Sequence, residues 1–282
     1  MTEYRISHGT TSACILPEKG ATVVGLSRDG VEFLYRDQEN LDSPERPRCG
    51  IPFLFPIFGR LVDGAYSWNG QSYSMEIHGF AHTSVWTVAE HRPDALKLEL
   101  VSDERILGMY PFPFRAELIF EVQEGRLTIR QRFENTGAES MPYNFGFHPY
   151  FFTEHLDRLV VETTAAQHFD FSVGKPVPFG HGCVSVSIPE GAPETGAAFM
   201  GVTGPTILHM PAEGRQVVIE HDENSPQLVL WTQAGKDFLC AEPINGTANG
   251  LNTGIYRLLA PGDSAEAVLN IHINLICQEV SL

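Results

Sequence analysis

Four stretches of this 282-residue chain carry side chains suited to chemistry. The first is EIHGFAHTSVW (76–86), which sets His78 and His82 four positions apart. Such a pair binds a metal when a helix turns both rings to one face. Here Gly79 intervenes, no glutamate follows His78, and a β-branched and aromatic run comes next, so a helical zinc site is disfavoured. Each histidine then needs its own explanation, and for His82 a hydrogen-bonded loop residue is the preferred one. The second stretch is CGIPFLFPIFGRL (49–61), where two prolines break an apolar run that ends in Gly59-Arg60. Proline lacks the donor a central strand needs, so part of the run must be irregular. Arg60 is either an exposed loop residue or a fork for hydroxyl or carboxylate oxygens.

The third stretch is NFGFHPYFF (144–152), where His148 precedes a proline and sits among Phe145, Phe147, Tyr150 and Phe151. The pre-proline position favours extended backbone. A histidine there is a core residue with one hydrogen bond, or a proton donor beside a sugar ring whose C–H face packs on aromatics. Its pKa near neutrality suits acid or base work. The fourth is FLCAEPINGTANGLN (238–252), in which Glu242 closes an apolar run. It reads either as a solvated strand-end carboxylate or as a partly desolvated general base at a strand mouth. GxSxG, P-loop and post-strand GxGxxG motifs are absent, so serine hydrolysis and nucleotide chemistry recede.

The elements that must position these residues read as strands. SACIL, ATVVGL and VEFLY open the chain between turn residues. Asn69-Gly70 between aromatic flanks is a hairpin signal, because both turn positions tolerate positive φ. FRAELIFEVQEGRLTIRQRFENTG (114–137) reads as a second hairpin, with Leu127, Ile129 and Phe133 on one parity and Arg126, Thr128, Arg130 and Arg132 on the other. RLVVETT, CVSVSI, TILHM, RQVVIEH, QLVLWTQ, DFLCAE and the alternating SAEAVLNIHINLI extend the list. Helical periodicity is absent over any useful length. With 26 glycines and 19 prolines punctuating the chain, the expectation is all-β, one large antiparallel β-sandwich with long loops spanning residues 1–282.

Composition narrows the partners. Nineteen basic against 35 acidic residues leave a net charge of −16, which repels phosphate backbones and anionic lipid, so neither nucleic acid nor membrane is expected. A phosphorylated substrate would need a local basic cluster. Cys14, Cys49, Cys183, Cys240 and Cys277 show no CxxC spacing and read as buried free thiols of a reducing compartment. The N-terminus shows no signal-peptide pattern, and IPFLFPIF (51–58), the longest apolar run, is too short to span a bilayer. A cytoplasmic protein is expected.

Together the motifs resemble the aldose 1-epimerase (galactose mutarotase) family. PFLFPIFGRLVDGAYSWNGQSYSMEIHGFA (52–81) is similar to the family's signature block, FGFHPYF (145–151) to its second histidine motif and CAEP (240–243) to its catalytic glutamate motif, in that order. The resemblance, which runs from about residue 10 to the C-terminus, implies a galactose mutarotase-like β-sandwich with a sugar cleft on a concave sheet. It implies Glu242 as the base at the anomeric hydroxyl and His148 as the acid at the ring oxygen. His78 and Arg60 would hold sugar oxygens, with no metal and no cofactor. An ionised Glu242 beside a protonated His148 would lower the carboxyl pKa and raise the imidazole pKa. The partner would be a small sugar, and the chain a monomer or homodimer.

Two departures bear on the substrate. In the hexose-6-phosphate branch an arginine follows the HGFA motif, and here that position is His82; with Phe-Pro-Ile-Phe-Gly-Arg and the acidic charge this favours a free hexose. The family's sugar-binding aspartate between the later motifs has two candidates, Asp170 and Asp222. The rival readings are a hexose-6-phosphate 1-epimerase using Arg46, Arg48 and His82, and a non-catalytic carbohydrate-binding protein. A further rival is a metal site of His78, His148 and Glu242, which the spacing does not support.

Overall fold

The structure, a computed structural model, describes residues 1–276 apart from 171 and 181; Cys277 lies outside the described residues. It is built from antiparallel sheets. A nine-stranded sheet runs from the Gly182–Val184 edge through Val160–Thr163, Thr206–Met210, Arg215–Glu220, Ser264–Leu275, Arg126–Asn135, Phe114–Gln123 and Ala95–Val101 to Thr87–Arg92. An eight-stranded sheet carries Lys175–Pro178, Gln167–Asp170, Glu194–Met200, Gln227–Gln233, Phe238–Ile244, Gly146–Phe147 and Phe53–Leu54, with Tyr150–Phe152 also paired to Phe238–Ile244. A four-stranded sheet, Tyr4–His8 through Val31–Glu32, completes the framework.

The alternation read from the sequence sets the layers. Leu127, Ile129 and Phe133 are fully buried, while Arg130 and Arg132 on the opposite face pair with Glu121 and with Glu117 and Glu266. Leu269, Ile271 and Ile273 of the last long strand join the same apolar cluster as Leu228, Leu230, Leu239 and Phe53 of the eight-stranded sheet. One core therefore lies between the two large sheets. The Asn69-Gly70 hairpin forms as expected, with φ of 49° and 79° and Trp68 opposite Gln71. Glu194–Met200 is a strand without a sequence signal, because ETGAAFM offers mostly small residues with no clear alternation. Cys14, Cys49 and Cys240 are buried free thiols as expected, but Cys183 is exposed, because the Gly182–Val184 edge strand turns it outward.

Candidate active site

The Phe238–Ile244 strand is buried along its whole length and is the axis of the site. On one side it pairs with Gly146 (opposite Ile244) and with Tyr150 (opposite Cys240). Halfway between those two pairs, the antiparallel register sets His148 opposite Glu242. Successive residues of a strand point to opposite faces. Cys240 and Glu242 therefore share one face with His148 and Tyr150, while Leu239, Ala241 and Phe147 turn into the core. The ladder on that side breaks between Gly146 and Tyr150, which tolerates both Pro149 and Pro243. On the other side Val229 pairs with Glu242 and Trp231 with Cys240, so Val229, Trp231 and Gln233 face the same cleft.

The sequence leaves Glu242 open as a solvated strand-end carboxylate or a partly desolvated base at a strand mouth. It lies instead inside the strand and is only 2% exposed, with His148 7%, His78 6% and His82 2%. His148 Nε2 stands 3.4 Å from Glu242 Oε1. The imidazole is held face to face by Tyr150, with ring centroids 4.7 Å apart and planes 11° from parallel, and Trp231 meets it edge-on at 5.9 Å. The aromatic wall expected around His148 is thus made by Tyr150 and a tryptophan from the neighbouring strand.

His78 arrives from a turn rather than a helix. It occupies the left-handed region with φ of 67°, and Gly79 follows at 79°. A Cβ on Gly79 would lie 2.3 Å from the Phe55 carbonyl oxygen, so only glycine fits there. Phe80 and Ala81 N–H groups both donate to that same oxygen and fasten the turn to the Phe53–Leu54 region. His78 and Gly59 are bonded twice: His78 N–H donates to the Gly59 carbonyl (2.9 Å), and Gly59 N–H donates to His78 Nδ1 (3.1 Å). With Nδ1 accepting, the ring is the Nε2–H tautomer, a neutral donor. Its ring stands perpendicular to His148 at 5.4 Å. His82, expected to be a satisfied loop residue, is buried with Nδ1 lacking a hydrogen-bond partner, its ring 6.2 Å from His78.

Burial sets the charge states. It pushes the Glu242 carboxyl well above its ordinary value and pulls the His148 imidazole down to about 3. Desolvation likewise pulls His82 down to about 3, and holds His78 well below its ordinary value. The ion pair that the resemblance implies calls for the opposite directions, with Glu242 lowered and His148 raised. Desolvation is the largest cause of both shifts, and both favour the uncharged form of each partner.

The cleft encloses about 320 Å³ and is lined by His78, His148, Glu242, Tyr150, Trp231 and Arg60, among others. Arg60 reaches it as an exposed side chain at the rim. Neither aspartate candidate lines it. Asp170 is held by Ser172, and Asp222 by Asn224 and Val268 backbone N–H groups; the additional carboxylate at the cleft is Glu194. Arg46 and Arg48 also reach the cleft, on a loop pinned by Asn40, whose amide donates to the Arg46 carbonyl and accepts from Arg48 N–H. Arg28, Arg36, Arg92, Arg115, Arg130 and Arg132 form ion pairs, whereas Arg46, Arg48 and Arg60 form none among the described residues. Burial lowers the Arg46 pKa, and the charges of Arg48 and Arg60 push it the same way. Potential metal donors cluster as His148, Cys240 and Glu242 within 4.8 Å, a group that leaves out the His78 of the sequence rival. Burial pushes the Cys240 thiol far up, toward its protonated form.

The chain belongs to the aldose 1-epimerase family, whose model matches residues 2–272. It is 22% identical to Uncharacterized protein YphB of Escherichia coli K12 over 97% of this chain and 99% of that one. It is 24% identical, over 79% of this chain and 72% of the relative, to a Cenchrus ciliaris protein provisionally named glucose-6-phosphate 1-epimerase. Among solved structures, Slr1438 of Synechocystis sp. PCC 6803 superposes with a TM-score of 0.88 at 29% identity, covering 97% of this chain and 96% of that one. A galactose mutarotase related enzyme of Lactobacillus acidophilus superposes at 0.83 and 20% identity over the whole of both chains, and shares the fold. No helix among the described residues is long and apolar enough to cross a membrane.

Proposed function

We propose that the chain interconverts the α and β anomers of an aldopyranose through Glu242 and His148. The observation that carries this reading is their 3.4 Å apposition in a buried, aromatic-walled cleft. The hydroxyl oxygen O1 and the ring oxygen O5 are both bonded to C1, so the groups that serve them must be neighbours. Glu242 removes the O1 proton, the electron pair forms C1=O1, the C1–O5 bond breaks, and O5 takes a proton from His148. Rotation about C1–C2 and the reverse steps give the other anomer. The pair needs one proton in total, and burial favours the uncharged forms that hold it on Glu242. Transfer of that proton from Glu242 to His148 arms the site once sugar oxygens bond to both groups. His78, fixed as a neutral Nε2–H donor, and Arg60 supply hydrogen bonds to the substrate oxygens.

A free hexose is the simplest substrate, and a second reading is a sugar phosphate. Its support is the local basic cluster that the acidic composition made a condition. Arg46, Arg48, Arg60 and His82 line one side cavity beside the cleft together with Glu45 and Glu76, and none of the three guanidinium groups forms an ion pair within 4.0 Å among the described residues. Polarimetry on freshly dissolved α-glucose and α-galactose and on glucose 6-phosphate separates the readings. A preference for the phosphorylated sugar that Arg46→Gln and Arg48→Gln each reduce about tenfold supports the second. Equal handling of both sugars by wild type and variants supports the first. No acceleration of any sugar would leave a carbohydrate-binding protein.

A further inference from the structure

The acid–base pair has a third neighbour that the sugar reaction does not use. Cys240 and Glu242 stand two apart on the Phe238–Ile244 strand and so share its cleft face, where His148 meets them from the adjoining segment. One ligand atom from each of these three buried residues lies within 4.8 Å of the other two. Cys240 is a free thiol, and its Sγ makes no hydrogen bond among the described residues. Zinc-type ions hold thiolate sulfur at about 2.3 Å and imidazole nitrogen or carboxylate oxygen at about 2.0–2.2 Å, which sets the ligand atoms of a tetrahedral centre roughly 3.3–3.6 Å apart. His148 Nε2 and Glu242 Oε1 already have that separation, at 3.4 Å. Sγ then has roughly 1 Å to close, a movement within reach of a cysteine turning about χ1.

We propose that Cys240, His148 and Glu242 form a site for a thiophilic divalent cation of the zinc type, and that the bound cation takes the acid–base pair out of the reaction. The loss of turnover rests on the mutarotase reading of that pair; the metal site itself does not. The donor set selects the ion class. Thiolate, imidazole and carboxylate together suit Zn²⁺, Cd²⁺ or Co²⁺, whereas Mg²⁺ and Ca²⁺ take oxygen ligands. The cation displaces the Cys240 thiol proton and the Glu242 carboxyl proton to solvent, and His148 coordinates in its neutral form. Two anionic donors then balance the divalent charge, and a neutral complex suits a buried position better than either anion alone. At the cleft Arg46, Arg48 and Arg60 repel the cation and Glu194 attracts it; with two protons released, affinity rises with pH. His78 is not a fourth ligand, because its Nδ1 accepts from Gly59 N–H and its Nε2 carries the proton, so that position is left to water. A Glu242 that ligates a cation cannot accept the O1 proton, and a ligated His148 cannot deliver one to O5. Cation and sugar therefore exclude each other.

The test titrates Cd²⁺ and Zn²⁺ into the Cys183→Ser, Cys277→Ser protein, which lacks the exposed thiol and the one outside the described residues. The expected result is an ultraviolet sulfur-to-Cd²⁺ charge-transfer band that saturates at a single equivalent. Zn²⁺ should inhibit mutarotation competitively with sugar, EDTA should restore it, and Mg²⁺ should do neither. Adding Cys240→Ser should abolish the band and raise the Zn²⁺ inhibition constant by at least about tenfold, the loss that disturbing a metal's surroundings brings. His148→Gln, which leaves the thiol in place, should shift the band and weaken Cd²⁺ binding, so the reading does not hang on one variant folding. Cd²⁺ binding without a sulfur band, a band that survives Cys240→Ser, inhibition that sugar does not relieve, or no binding would overturn the site and leave the mutarotase reading standing. A band lost in Cys240→Ser from a protein that turns over no sugar even without metal would uphold the site and overturn the mutarotase reading.

Discussion

Replacing Glu242 by glutamine separates the chemistry of the buried pair from its contribution to stability. The amide keeps the carboxyl's shape beside His148 but cannot accept the O1 proton. Loss of a positioned general base costs about 10²–10⁴-fold in rate, or roughly 3–5 kcal/mol at about 1.4 kcal/mol per decade. The stability effect depends on the charge state. Had Glu242⁻ and His148⁺ formed a buried ion pair, the variant would strand an imidazolium, at a cost of about 3–5 kcal/mol. In a domain of this size that is a fall in Tm of roughly 6–20 °C. Burial instead raises the carboxyl pKa and favours its protonated form, from which the exchange removes no charge. The sign follows from linkage: a carboxyl raised in the folded state contributes stability below its unfolded value of 4.5 and loses it as pH rises toward the folded value. Glutamine does not titrate, so Glu242→Gln should match wild type near pH 4 and exceed it increasingly as pH rises. Mutarotation assays with calorimetric melts from pH 4 to 8 measure both quantities. A large rate loss with Tm at pH 7 equal to or above wild type is expected. A Tm fall beyond about 6 °C at pH 7 would refute the neutral pair.

Three further outcomes follow. Buried histidines destabilise the fold in acid: burial pulls His82 and His148 down to about 3 and His221 to about 4, against 6.5 unfolded. Each contributes stability above 6.5 that is lost at up to ~1.4 kcal/mol per pH unit as pH falls toward the folded value; melts of wild type against His221→Asn should show a shallower acid slope in the variant. The acid limb of the rate profile should fall well below pH 6.5, since the pair keeps its single proton until His148 protonates. A limb at 6.5 would mean that His148 titrates as an exposed residue. Gly59→Ala should cost about 1–2 kcal/mol for a non-glycine residue in the left-handed region. Its Cβ would also lie 2.7 Å from that of Ala248, and it would shift the N–H that orients His78, lowering kcat/KM more than Tm.

Much of the fold was legible because alternation survives in the long strands, from Arg126–Asn135 to Ser264–Leu275. Glu194–Met200 was not, because small residues leave no periodic signal. Glu242, His148, His78 and Arg60 were each singled out by local sequence, and the structure brings them to one cleft. Which residues oppose one another was not readable: the pairing of His148 with Glu242, and of Val229 with Glu242, is a property of register between distant segments. Trp231 was visible as part of QLVLWTQ, but its place beside His148 follows from that register. The directions of the Glu242 and His148 shifts were not readable, because the burial that causes them depends on strand position and not on the CAEP motif.

The most direct measurement of the central claim is exchange NMR of the anomeric protons of equilibrated glucose, galactose and glucose 6-phosphate. The exchange rate between α and β should rise in proportion to wild-type protein for at least one of these sugars, and return to the buffer rate with Glu242→Gln. Exchange at the buffer rate for all three with wild type, or undiminished acceleration by the variant, would contradict ring opening by Glu242 and His148.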